Sequence, residues 1–206
     1  LDSYVKFDYL DTAISNGELE AIAVSAMSYA SGQSVTFFQG HKAIEPWERA
    51  RRRGEKTALT IAHLMASTAI PSLFPAVQLA EGYFGDGAVR QLKPISPALH
   101  MGARQLFIVG VSDNATAKPV AVPEQHSPSI AQIVGHMFNS AFIDSVESDL
   151  ETLRSINRLA SALPESLRAN NGITDLNPID VLSISPSQSI DQIALEHIHE
   201  LPRSLK

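Results

Sequence analysis

Residues 105–111 read Gln-Leu-Phe-Ile-Val-Gly-Val, and no polar side chain interrupts the run after Gln105. A strand with one wet face alternates apolar and polar residues with a period of two. An unbroken apolar run of this length is expected instead in a strand covered on both faces, as at the centre of a parallel sheet packed between helices. Candidates for the covering layers and for further strands are present. Apolar residues recur at three- and four-residue spacing from Ile130 to Ile156, with Ser127 as a cap and Pro128 at the first helical position. This predicts a helix of about 30 residues and about 45 Å. Ile179–Ile184 reads as a second buried strand, with Asp180 near its start.

Upstream, residues 1–17 read as helix or loop, closed by Asn16-Gly17. Leu19–Ser25 and Ser34–Gln39 form a predicted hairpin with a long connection across Ser31-Gly32. Residues 40–57 are polar and read as a solvated loop or helix face. Thr60 caps a helix reaching to about Ser67, which Pro71 and Pro75 forbid from continuing. Near the C-terminus, Asn170-Asn171-Gly172 is a turn and Ser189 caps a short helix over Ile190 to about Ile198. Strands alternating with helices predict an α/β layered fold with a mostly parallel sheet flanked by helices. No linker-like stretch divides the chain, so residues 1–206 are expected to belong to a single domain.

Composition removes several function classes. The net charge of -6 offers no reason to expect nucleic acid as a partner. With no cysteine in the chain, disulfides, thiolate zinc sites and cysteine nucleophiles are excluded, and a reducing compartment such as the bacterial cytoplasm is the expected setting. No apolar run reaches the roughly 18 residues of a membrane span. The basic residues Arg49, Arg51, Arg52, Arg53 and Lys56, with Trp47 upstream, offer peripheral contact with anionic lipid headgroups; Glu45, Glu48 and Glu55 dilute that charge. His63 has no partner at metal-ligand spacing and reads as a packed or surface histidine. No cofactor and no metal is implied.

One acid stands out. Asp86 lies between Gly85 and Gly87, and glycines permit positive φ and close backbone approach, so this side chain can be projected from a tight turn. An Asp-Gly turn is common and alone carries little.

The surroundings of Asp86 say more. Ala66–Pro75 (ASTAIPSLFP), the Gly85-Asp86-Gly87-Ala88 turn, and Pro94 with Ala98, Gly102 and Ala103 ahead of an apolar strand resemble the patatin-like phospholipase family. In that family an AS-S/T-AIP…FP segment lies shortly before a DG-G/A motif. The long helix and Ile184–Ser187 (ISPS) resemble its bacterial branch, and the resemblance runs from about Leu19 to the C-terminus. It implies a patatin-like fold and a serine acyl hydrolase acting on lipid or other acyl esters through a Ser-Asp dyad, with Asp86 as the acid. The family's G-x-S-x-G nucleophile and glycine-rich oxyanion loop are absent from this chain and belong upstream of residue 1 in the family's order. The chain is therefore expected to be the C-terminal portion of one acyl-hydrolase domain, inactive alone, with the N-terminal segment of the same protein as its partner. Ser67, at a packed helix end, is a poor substitute nucleophile. Leu92 and Lys93 stand where the family often places asparagine before proline.

The dyad implies Asp86 in a cleft, and an unpaired sheet edge or exposed apolar face where the upstream segment packs. A second hypothesis is a non-catalytic, degenerate hydrolase fold that binds protein or lipid surfaces, motivated by the absent serine and the basic cluster. A nucleotide-binding domain with its phosphate loop at Gly85 is a weak third, because neither glycine-rich phosphate motif is present and an acid in the turn repels phosphate.

Overall fold

The computed structural model describes residues 6–110, 130–163, 167 and 177–187. They group into two compact units, the first drawn from Leu1–Ala103 and Ser140–Thr152, the second from Arg104–Asn139 and Leu153–Lys206.

The first unit begins with α1 (Asp8–Ser15) and contains a six-stranded sheet of β1 (Ala21–Ser28), β2 (Ser34–Gly40), β3 (Trp47–Arg49), β4 (Arg52–Lys56), β5 (Val77–Leu79) and β6 (Gly82–Asp86). The strand order is β3-β4-β2-β1-β6-β5. Only β2 and β4 pair in parallel; β1–β2, β1–β6, β3–β4 and β5–β6 are antiparallel. The expectation of a mostly parallel sheet is thus corrected. The reason is connection length. Parallel neighbours need a crossover of a dozen or so residues, whereas β3–β4 and β5–β6 are closed by the two-residue turns Ala50-Arg51 and Ala80-Glu81. The polar stretch 40–57 is itself largely the β3–β4 hairpin, and not the loop or helix face its composition suggests.

Strand alternation divides the sheet into two faces. Val35 and Phe37 of β2, Ala26 of β1 and Phe84 of β6 share one face and form its core with Leu59 and with Ala66 of α2 (Ile61–Ser67). Phe7 and Leu10 pack against the same cluster. Phe37 meets Phe84 edge-on at 5.3 Å and the His63 ring at 4.8 Å. The other face carries Phe38, which stacks on Trp47 at 5.1 Å; Trp47 stacks in turn on His100 at 4.9 Å. His100 ends α3 (Ser96–His100). Gly54 lies opposite Trp47 in the β3–β4 register, and a Cβ there would collide with the indole. The missing side chain is what lets the ring lie over the strand. Helices therefore flank both faces of this sheet, α1 and α2 on the Phe37 side and α3 on the Phe38 side.

The helix predicted from Thr60 is present, and His63 explains part of its start. Thr60 N–H donates to His63 Nδ1 at 3.1 Å, and the Thr60 hydroxyl lies 2.9 Å from the same nitrogen. The predicted β1–β2 hairpin is also present, with β1 displaced toward Ser28.

In the second unit, β7 (Gln105–Val109) pairs in parallel with β8 (Asp180–Ile184). Asn157, on the long helix α4 (Ile130–Ala162), secures the chain just ahead of β8. Its amide donates to Ile179 O at 2.7 Å and accepts from Ile179 N–H at 3.0 Å. The parallel pairing of the Gln105 run is as expected. Among the described residues the sheet has two strands, and Phe107, Val109, Leu182 and Ile184 are 63%, 66%, 61% and 47% exposed along one face. The predicted cap at Ser127-Pro128, the Asn170-Asn171-Gly172 turn and the helix from Ser189 lie outside the described residues.

Candidate functional site

Asp86 ends β6, opposite Ala26 of β1, and so belongs to the Phe37 face of the sheet. It is buried, at 7% exposure. Its backbone N–H donates to Ala69 O at 2.9 Å. Its Oδ1 accepts from Ala88 N–H at 2.9 Å, capping the 3₁₀ turn Gly87–Val89. Among the described residues no cation forms an ion pair with this carboxylate. Burial therefore pushes its pKa above the ordinary 3.8, and the Ala88 N–H opposes that rise in part. The result is a desolvated carboxyl group, more basic than an aspartate in water.

The two glycines beside it act through close approach alone, since neither adopts a positive φ. A Cβ on Gly87 would run into the carbonyl of Ser25 on β1, which is backbone and cannot yield. A Cβ on Gly85 would meet the Tyr29 hydroxyl at 2.7 Å, the far end of a side chain that can turn away. Beyond the turn, Gln91 Nε2 donates to Ser25 Oγ at 3.2 Å, and Ser25 Oγ lies 3.0 Å from Thr36 Oγ1, so the exit from the turn is tied back onto β1 and β2.

Ala69 and Ala66 of the Ala66–Pro75 segment are buried, and Ala69 is the acceptor for the Asp86 N–H. The two sequence elements that suggested a site are therefore in direct contact. Ser67 closes α2, half-buried, and no hydrogen bond joins it to Asp86 among the described residues. His63 is engaged at the helix start and against Phe37. Burial holds its pKa below the ordinary 6.5. Among the described residues no group of three histidine or acidic side chains converges to hold a metal ion, and no helix is long and apolar enough to cross a membrane.

Three features of the structure join residues that lie far apart in the sequence. Asp149 is buried; it accepts from Ile95 N–H at 3.0 Å and from Lys93 Nζ at 3.1 Å. The Phe38–Trp47–His100 stack joins residues far apart in the chain. The basic residues near Arg52 gather beside Arg90 and Lys93 around one cleft. Only the Arg cluster itself was visible as a local signal. Compared with known protein families, with curated proteins and with solved structures, the chain matches none.

Proposed function

We propose that Asp86 is the general base of a serine acyl hydrolase, a patatin-like enzyme cleaving lipid or other acyl esters, whose serine and oxyanion donors lie in the same protein upstream of residue 1. The observation that carries this is the burial of Asp86 with no cation paired to it among the described residues. A carboxylate whose pKa is raised by desolvation is a better proton acceptor than one in water, which a dyad lacking histidine requires. As the serine Oγ attacks the ester carbonyl, Asp86 takes its proton. Collapse of the tetrahedral intermediate breaks the bond to the leaving alcohol, and Asp86 returns the proton to that oxygen. Water then attacks the acyl-enzyme, losing its proton to Asp86, which passes it to serine Oγ as the acid departs.

The exposed face of Phe107, Val109, Leu182 and Ile184 supports the same reading. Parallel strands are ordinarily covered on both faces, and an upstream segment is a natural cover. On this view the mostly antiparallel sheet is a departure from the layering that the resemblance implies.

A second reading, a non-catalytic binding module, is favoured by one specific contact: Asp86 Oδ1 already has a structural task as the cap of the 3₁₀ turn. Asp86→Asn separates the two, because asparagine keeps the oxygen acceptor and loses the base. The experiment uses the protein with its upstream region, fluorophosphonate labelling of the serine, and hydrolysis of a p-nitrophenyl acyl ester. Loss of about a thousandfold or more in kcat with the fold intact supports the base. Full activity in Asp86→Asn, or no labelled serine, removes the hydrolase reading.

A further inference from the structure

On the Phe38 face of the six-stranded sheet, a cleft of about 50 Å³ lies between the β3–β4 turn and the segment that follows the 3₁₀ turn. Five cations line it, Arg51, Arg52, Arg53, Arg90 and Lys93, and no carboxylate does. Two of the five are already neutralised: Arg53 pairs with Glu55 and Glu81, and Lys93 pairs with Asp149. The other three have no carboxylate partner among the described residues.

Two of the three, Arg90 and Arg52, carry N–H donors without a protein acceptor among the described residues, and Arg51 sits in the turn beside them. Arg90 donates its Nε–H to Gly32 O at 3.0 Å, which anchors the guanidinium and leaves its far edge without a protein acceptor among the described residues. Arg52 Nε is buried with no hydrogen-bond partner among the described residues. Such a donor is ordinarily satisfied in a folded protein, and its orphan state marks a place where an acceptor belongs. Arg51 occupies the left-handed region at φ 63°, in a two-residue turn where glycine would sit without steric penalty. The positive field is felt nearby. Burial first, then Arg49 and Arg52, hold the His100 pKa below its ordinary 6.5.

We propose that this cleft binds a phosphoryl group, carried either by a small phosphorylated molecule or by a lipid headgroup. Guanidinium forks present parallel N–H donors that match phosphate oxygens. Ser34, opposite Arg52 in the β2–β4 register, adds a hydroxyl to the same wall. Three uncompensated cations are answered better by a phosphate dianion than by a single carboxylate. Asp86 belongs to the opposite face of the sheet, so this site stands or falls independently of the hydrolase reading.

Trp47 lines the cleft and is the chain's single tryptophan, so its emission reports occupancy. One arm titrates the 206-residue chain with inorganic phosphate at constant ionic strength. The other arm uses phosphatidylcholine vesicles with and without phosphatidic acid. A saturable change with inorganic phosphate supports the site and a free phosphate ligand. A change only with phosphatidic acid vesicles supports the site and assigns the source to the headgroup. In the responding arm, Arg52→Gln and Arg90→Gln weaken binding about tenfold. Arg51→Gly weakens it about threefold while glycine accepts the turn's φ, so this variant decides where another fails to fold. No saturable change in either arm, or unchanged affinity in the folded Arg52→Gln and Arg51→Gly chains, overturns the proposal.

Discussion

The backbone N–H of Asp86 is bonded to the carbonyl of Ala69 at 2.9 Å. This contact joins the end of β6 to the segment that leaves α2, and Pro71 two residues later keeps that segment from continuing as helix. The position of the carboxylate is thereby set from both sides: by the Ala69 carbonyl behind it and by the Ala88 N–H in front of it. A buried acid held this way has little freedom to swing toward water.

The glycines around Asp86 are not equivalent. Gly87→Ala drives a Cβ into the Ser25 carbonyl and is expected to destabilise the chain by about 3 kcal/mol. Gly85→Ala meets a movable tyrosine ring and is expected to lose about 1 kcal/mol or less. Urea unfolding of both variants checks the order; equal losses would contradict the close-approach argument.

Asp86→Asn is expected to stabilise the fold at neutral pH, by about 1 kcal/mol, because it keeps the cap and removes a desolvated charge. The folded pKa of Asp86 is raised above 3.8, so between 3.8 and that raised value the folded state binds more protons than the unfolded. This contribution to stability therefore falls as pH rises through the window. Unfolding free energies of wild type and Asp86→Asn, measured from pH 4 upward, should converge toward the acid end.

His63 and His100 titrate with the opposite sign. Their folded pKa values are depressed below 6.5, so the folded state binds fewer protons in the window beneath it. Stability is full above 6.5 and is lost as pH falls through the folded values. His100→Phe retains a ring to stack on Trp47 and should remove part of that acid sensitivity, readable as a smaller drop in Tm between pH 7 and pH 5.

Asp149→Ala leaves the Ile95 N–H without its buried acceptor and Lys93 without its counter-charge. A loss of about 3 kcal/mol is expected. Asp149→Asn keeps an acceptor and should lose less. Thermal melts of the two variants test this, and a near-neutral Asp149→Ala would mean that the contact contributes little.

The apolar face of β7 and β8 gives a test of the proposed upstream partner. Phe107→Ser and Leu182→Ser change exposed side chains, so in the 206-residue chain they are expected to alter stability by less than about 0.5 kcal/mol and to reduce binding of an apolar dye. In the protein with its upstream region the same substitutions should be clearly destabilising. Equal, small effects in both settings would show that nothing upstream covers this face.

Much of the local structure was legible in the sequence. The α2 start at Thr60, the halt at Pro71, the strand at Ser34 and the parallel strand at Gln105 all follow from side-chain period, capping chemistry and proline, which act within a few residues. The acid in its glycine turn was visible too, as was the basic cluster near Arg52. Composition alone is a poor guide to where a strand sits. The polar composition of residues 40–57 predicts a solvated loop or helix face; the β3–β4 hairpin forms within it because β4 finds β2 as a parallel neighbour and because Gly54 makes room for Trp47. The apolar run at Gln105 predicts a strand covered on both faces; among the described residues its sheet has two strands, and one face of them is exposed.

What the sequence determined by itself is therefore which segments extend, which coil, and which residues carry charge or chemistry. Tertiary structure alone decided the mostly antiparallel pairing of the six-stranded sheet, the burial of Asp86 against Ala69, and the gathering of Arg52 and Arg90 around one cleft. The physical reason is range. Period, capping and turn chemistry are properties of neighbours in the chain, whereas desolvation and the summing of charges depend on which distant segments share a sheet face, and that choice is made only when the strands pair.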